Sequence, residues 1–142
     1  MTPELCKESF RLAFSFFEER YPERFKPVII SHSWIFNSQL EDYLPDSNLA
    51  KLQRECYLFP FPSNGQDGFF FVFGKNYRPE EMASAPQDTS LRRTLLKIAQ
   101  TPEQLHCAGM LFFKEDLDDF GTQHYRNGFR QHSANSELGR EG

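Results

Sequence analysis

Residues 26–34, Lys-Pro-Val-Ile-Ile-Ser-His-Ser-Trp, constrain this chain more than any other stretch. The apolar run Val28-Ile29-Ile30 calls for a buried strand, read here over residues 27–33. It empties into Ser31, His32 and Ser33, side chains able to do chemistry, with Trp34 directly after them. In open α/β sheets, ligands collect at the carboxyl ends of strands, where they hand over to loops. This strand end is therefore a candidate site edge in a soluble α/β domain.

A helix precedes the strand. Thr2 can cap it, Pro3 suits its first position and Glu4 complements the dipole. Phe10, Ala13, Phe14, Phe17 and Tyr21 recur at helical spacing, and Leu5, Leu12 and Phe16 widen the apolar face. The expectation is a well-covered helix over residues 3–20, ended by Pro22. Ser38-Gln-Leu-Glu41 has capping-box form and opens a short helix that Pro45 stops. Asp46-Ser47 can cap a further turn, Asn48 to Glu55. Cys56–Phe61 and Gly68–Phe73 read as two strands of an antiparallel hairpin, because Asn64-Gly65 and Asp67-Gly68 are turn formers. Residues 75–88 form a polar surface loop with a helical turn at 80–83. Asp88-Thr-Ser90 caps a helix facing Leu91, Leu95, Leu96, Ile98 and Ala99 inward, and Ala108–Phe113 is a last strand before an acidic turn. One domain over residues 1–130 and a polar, frayed tail over 131–142 complete the expectation.

Composition excludes several functions. The 142 residues suffice for one core without staples, and 16 phenylalanines make that core aromatic. A formal net charge of −4 opposes a nucleic-acid footprint or an anionic membrane surface. No segment reaches the ~18 apolar residues of a membrane span, and Met-Thr-Pro-Glu lacks a basic leader, so a cytoplasmic protein is expected. The three cysteines, Cys6, Cys56 and Cys107, read as reduced thiols.

Several motifs allow two readings. His32 can act as a general base or bind a substrate group, or it can be a hydrogen-bonded histidine at a strand end. Ser33 lacks a Gly-x-Ser-x-Gly elbow and points away from His32 in a strand, which argues against a hydrolase triad. His106-Cys107 with His124 or His132 lacks paired ligand spacing, so no metal is expected. Gly68–Val72 imitates an RNA-binding aromatic sheet motif, but Asp67 and Phe70 break the pattern and core packing accounts for the rings. Arg92 and Arg93 follow a helix start where phosphate can bind, or else decorate a solvated face. Gln53, Arg54 and Glu55 either line a cleft or decorate a short helix.

Thr2–Ser9 with the Phe-rich helix, Ile30-Ser-His-Ser-Trp-Ile-Phe36, Leu44-Pro-Asp-Ser-Asn-Leu49, Leu52-Gln-Arg-Glu55 and Asp119-Phe-Gly-Thr-Gln-His-Tyr-Arg126 occur in that order. Together they resemble the GNAT-like C-terminal domain of bacterial two-domain acyltransferases. The resemblance covers most of residues 1–126. It implies a mixed α+β fold with a largely antiparallel central sheet flanked by helices, three-layered α/β/α. It further implies transfer of an acyl group from acetyl-CoA or another acyl-CoA to a small-molecule amine. An N-terminal acyltransferase domain is the implied partner, with no nucleic acid, membrane or metal.

On this resemblance His32, Glu55 and Tyr125 are the catalytic candidates, as base, alternative base and acid. Ser33, Trp34, Ser47, Asn48, Gln53 and Arg54 are candidate substrate contacts, and Arg92 with Arg93 candidate phosphate contacts. The sequence departs from GNAT enzymes in two respects. No Arg/Gln-x-x-Gly-x-Gly/Ala pyrophosphate loop occurs, and Phe69–Phe73 carries no central-strand Glu. A catalytically silent binding module that packs on a partner domain is the alternative expectation.

Overall fold

The structure is a computed structural model that describes residues 2–127. It is a mixed α+β fold: a three-stranded antiparallel sheet of order β1-β3-β2, flanked by helices. The chain runs α1 (Pro3–Arg20), β1 (Val28–Ser33), α2 (Gln39–Tyr43), α3 (Asn48–Gln53), β2 (Tyr57–Pro60), α4 (Phe69–Phe73), α5 (Ser90–Ala99) and β3 (Ala108–Phe113). Single 3-10 turns lie at Trp34–Phe36, Pro79–Ser84 and Lys114–Leu117. No helix among the described residues is long and apolar enough to cross a membrane.

Local chemistry starts most helices where the sequence places them. The Thr2, Ser47 and Thr89 hydroxyls accept hydrogen bonds from the Leu5, Ala50 and Arg92 amides and so cap α1, α3 and α5. At α2 the cap differs from the expected capping box. Ser38 makes no side-chain cap bond, and the Asn37 carboxamide accepts the Gln39 N–H at 3.0 Å instead.

The expected hairpin does not form. Gly68–Phe73, read as a strand, carries α4, closed by Val72 N–H to the Gly68 carbonyl (3.0 Å) and Gly74 N–H to the Phe70 carbonyl (2.9 Å). Gly68 and Gly74 have φ of 94° and 76°, so left-handed residues bracket the turn at both ends. Helical spacing then buries Phe69 and stacks it on Phe73 at 5.1 Å, while Phe70 and Phe71 face outward. Five apolar residues in a row have no period, and the demand of α5 for a cover decides between strand and helix. β2 pairs with β3 instead, Tyr57 opposite Leu111 and Phe59 opposite Gly109.

Two cores result. One lies among helices and loops, with Leu40, Phe69, Tyr77, Leu95, Leu96, Ile98 and Leu105. The other lies between α1 and one face of the sheet, where Cys6 and Phe14 meet Leu52, Cys56, Met110 and Phe112. Burial holds the Cys56 thiol protonated, its pKa pushed up to about 12. The expectation that α1 is well covered fails. Leu5, Leu12, Phe16, Phe17 and Tyr21 are exposed, because the sheet meets only the stripe of Cys6, Phe10 and Phe14.

An ion cluster fastens the end of the described chain. Arg126 donates to both oxygens of Glu41 at 2.5 Å, and Arg54 donates to one of them at 3.0 Å. Burial opposes the Glu41 charge, but the hydrogen bonds from Arg126 and Arg54 outweigh it and lower its pKa. A depressed carboxyl contributes stability above the ordinary carboxylate range and loses it as pH falls through the folded pKa. Glu41→Gln is therefore expected to cost on the order of 1–2 kcal/mol near neutral pH. The gap to the parent should close below about pH 4 in denaturant melts. A gap that widens in acid would contradict the assignment.

Candidate functional site

The two faces of the sheet differ. Ile29, Ser31, Ser33, Leu58, Met110 and Phe112 share the face packed under α1. Ile30, His32, Tyr57, Phe59, Leu111 and Phe113 share the other, on which Ile30, His32 and Tyr57 stand exposed. His32, on β1 opposite Gly109, lays its ring on Phe61 at 4.2 Å with 14° between planes. Phe61 also lines a cleft of about 390 Å³ at the carboxyl ends of β1 and β2. Its other walls include Phe36, Asn37, Ser38, Phe59, His106 and Cys107. The strand end is thus open, with one imidazole beside its rim and a second, His106, in its wall.

The remaining candidates fall into three groups. Ser33 and Trp34 adjoin His32: the Ser33 hydroxyl caps the following turn at Ile35 N–H (3.4 Å), and Trp34 covers Gly68 and stacks on Phe71. Ser47 is spent on the α3 cap, and Asn48 begins that helix on its exposed side. Gln53 is wholly buried and donates to the Ile35 and Asn37 carbonyls at 2.7 and 3.0 Å. It therefore holds the cleft-forming turn from behind instead of lining a cleft. Arg54 is bound to Glu41.

Glu55 and Tyr125 sit apart from His32. Glu55 is buried and accepts the Gly121 and Gln123 amides at 2.8 and 3.2 Å, an anchor for the last turn. Tyr125 packs on Tyr57 at 3.5 Å and donates its hydroxyl to the buried Asp116 at 2.5 Å. Burial, then the Asp116 hydrogen bond, raises the Tyr125 pKa well above the usual phenol range. Tyr57 and His32 share a sheet face but stand two strands and two residues apart, roughly 12 Å by strand spacing. No single hydrogen bond spans that.

Arg92 and Arg93 are both engaged. Arg92 donates to the Val72 carbonyl at 3.1 and 3.3 Å and to Asp88 at 2.8 Å, tying α5 to α4. Arg93 donates to the Gln87 carbonyl at 2.7 Å. A phosphate at this helix start would have to draw them off these partners. Among the described residues no group of three or more His, Cys, Asp or Glu side chains could hold a metal ion. His132 and the tail expected at 131–142 lie outside the described residues.

The cleft contributes two side chains that sequence reading did not place there. Sequence alone assigns His106 no role and reads Cys107 as a reduced thiol, whereas the return of β3 beside β2 sets both in the cleft wall. Nothing local signals this, because it depends on the pairing of strands some 50 residues apart.

Comparison with known proteins agrees with this architecture. Residues 1–111 match the family described as GNAT-like C-terminal domain. Among solved structures, an orf11* acyltransferase mutant in complex with octanoyl-CoA is 29% identical, with a TM-score of 0.70. An acyltransferase in complex with CoA and 10C-teicoplanin is 28% identical with the same TM-score. Another, with decanoyl-CoA, is 25% identical at 0.65. Each likeness covers 80% of this chain and 36% of the other, so the chain spans little more than a third of those enzymes. A search of curated proteins found no match. With the match spanning residues 1–111, the chain belongs to the family of GNAT-like C-terminal domains.

Proposed function

We propose that this chain is part of an acyl-CoA-dependent acyltransferase that moves an acyl group from the CoA thioester to an amine. The likeness to acyltransferases crystallised with CoA and acyl-CoA, over 80% of the chain, carries this reading. Those enzymes are much longer, and an N-terminal acyltransferase domain completes the site in this proposal. In transfer the amine nitrogen bonds the thioester carbonyl, the C–S bond breaks, and the nitrogen sheds a proton as the CoA thiolate gains one. His32 is the proposed base. It is exposed, held by Phe61, and has no hydrogen-bond partner among the described residues. The cleft beside it would take the thioester end of the arm, with Ser33 and Trp34 bounding the approach. Glu55, Gln53, Arg54, Ser47 and Asn48 support the site's frame, and Tyr125 its far end. Arg92 and Arg93 remain the phosphate contacts of this proposal once freed from their present partners.

The catalytically silent module stays as a second reading, favoured by Glu55, Arg92 and Arg93 being bound within the fold. Ligand separates the two. CoA or decanoyl-CoA at ~100 times its dissociation constant should add ~2.7 kcal/mol to stability, read as a rise in melting temperature. No rise at millimolar concentration would favour the silent module. Where turnover is measurable, His32→Ala should reduce it by about 10²–10⁴-fold with the melting temperature held, as befits a lost general base on an exposed ring. Unchanged turnover would remove His32 from the mechanism.

A further inference from the structure

The cleft at the carboxyl ends of β1 and β2 has two walls that come from distant parts of the chain. Asn37 and Ser38, between the Trp34–Phe36 turn and α2, form one. His106 and Cys107, just before β3, form the other. Neither wall belongs to a strand or a helix, so no ladder of backbone hydrogen bonds sets the gap between them. One side chain joins them instead. The Gln39 carboxamide, 8% exposed, accepts from Asn37 Nδ2 at 2.9 Å and donates from Nε2 to the Gln104 carbonyl at 2.9 Å. Glu103 Oε2 stands 3.5 Å from the same nitrogen. The Asn37 carboxamide, which also accepts the Gln39 N–H, is 2% exposed.

Each end of this bridge is itself held. The Asn37 carbonyl accepts Gln53 Nε2 at 3.0 Å, from a wholly buried side chain. Gln104 stands at φ 55°, a left-handed conformation that a residue with a Cβ enters only at a cost. The bend that turns the chain toward His106 therefore persists through contacts outside itself. Gln39 supplies one of them, and Leu105 N–H to the Gly65 carbonyl, at 3.3 Å, supplies another. We propose that Gln39 is a positioning residue, whose carboxamide sets the width of the cleft that receives the thioester arm of acyl-CoA. The arm as occupant rests on the acyl-CoA reading above, whereas the bridge rests on the hydrogen bonds alone. Gln39 touches no reacting atom and acts through Asn37 and Gln104. The role needs a donor and an acceptor together at the end of a side chain this long. Glutamate when ionised lacks the donor, and methionine lacks the amide altogether.

Nitroxide labels at Ser38→Cys and the native Cys107 of the full 142-residue chain read the gap directly. Ser38 is exposed and makes no cap bond, whereas Cys6 and Cys56 are buried and stay unlabelled. In Gln39→Met, which keeps the length of the side chain, the distance distribution should move outward and broaden. The Kd for decanoyl-CoA should rise about fivefold, the factor that one ordinary hydrogen bond contributes. Asn37→Ser can still cap α2 but does not reach Gln39 Oε1, and it should move both readouts the same way by less. Thr89→Ala removes the α5 cap, a comparable loss of stability away from the cleft, and should move neither. An unchanged distribution in folded Gln39→Met, equal broadening in Thr89→Ala, or a widened gap with undiminished affinity would each overturn the proposal. A parent that binds no decanoyl-CoA would overturn the acyl-CoA reading and, with it, the occupant named here. A gap that still widens in Gln39→Met would then uphold the bridge.

Discussion

Replacing Phe112 by Ala is expected to cost about 3–5 kcal/mol, a drop in melting temperature on the order of 10–20 °C. Phe112 is 1% exposed near the end of the central strand β3, and three rings surround it. Phe10 lies 4.8 Å away, Phe120 5.7 Å in an edge-to-face pair, and Phe14 6.4 Å. Truncation removes the ring's burial and leaves a cavity that no neighbour can fill without abandoning its own contacts. Phe10 and Phe14 come from α1 and Phe120 from the last turn, so the loss is felt across three elements. Chemical denaturation should show a lower midpoint with little change in slope. A cost under 1 kcal/mol would mean that the ring is not enclosed as described.

Gly109→Val is also expected to be destabilising, for the opposite reason. A Cβ at this position would stand 2.1 Å from one ring carbon of Phe59 and 2.3 Å from another. The far end of the ring lies over the glycine across the strand pair, Phe59 being the β2 residue opposite Gly109. To admit a side chain, Phe59 must leave, and it borders the same cleft as Phe61. Overpacking of this kind costs typically 1–3 kcal/mol. The companion Phe59→Ala should relieve most of the added cost. The double variant should therefore be clearly non-additive in a denaturation cycle. Strict additivity would show that the two residues do not meet. Because the cleft changes shape, any CoA-induced rise in melting temperature should fall with Gly109→Val.

The helix α1 was legible to the residue, since Thr2, Pro3, the apolar stripe and Pro22 all act within a turn or two. Its exposed flank was not. Leu12 and Phe16 look inward by composition, and only the position of the sheet shows which stripe it meets. β1, β2 and β3 were legible as apolar runs, but that β2 pairs with β3 and not with residues 68–73 was not. His32 was found because a polar triplet after an apolar run is a local signal. The roles of Glu55 and Gln53 were not, for a carboxylate and a carboxamide in a short helix look alike whether they face a ligand or their own backbone.

The sequence by itself determined the starts of α1, α2, α3 and α5, all three strands and the strand-end place of His32, because caps, breakers and runs act over a few residues. Tertiary structure alone decided the fate of Phe69–Phe73, the partner of β2 and the two sides of α1. Each of these depends on which distant surface arrives to bury a ring, and a run of apolar residues without period is compatible with either answer.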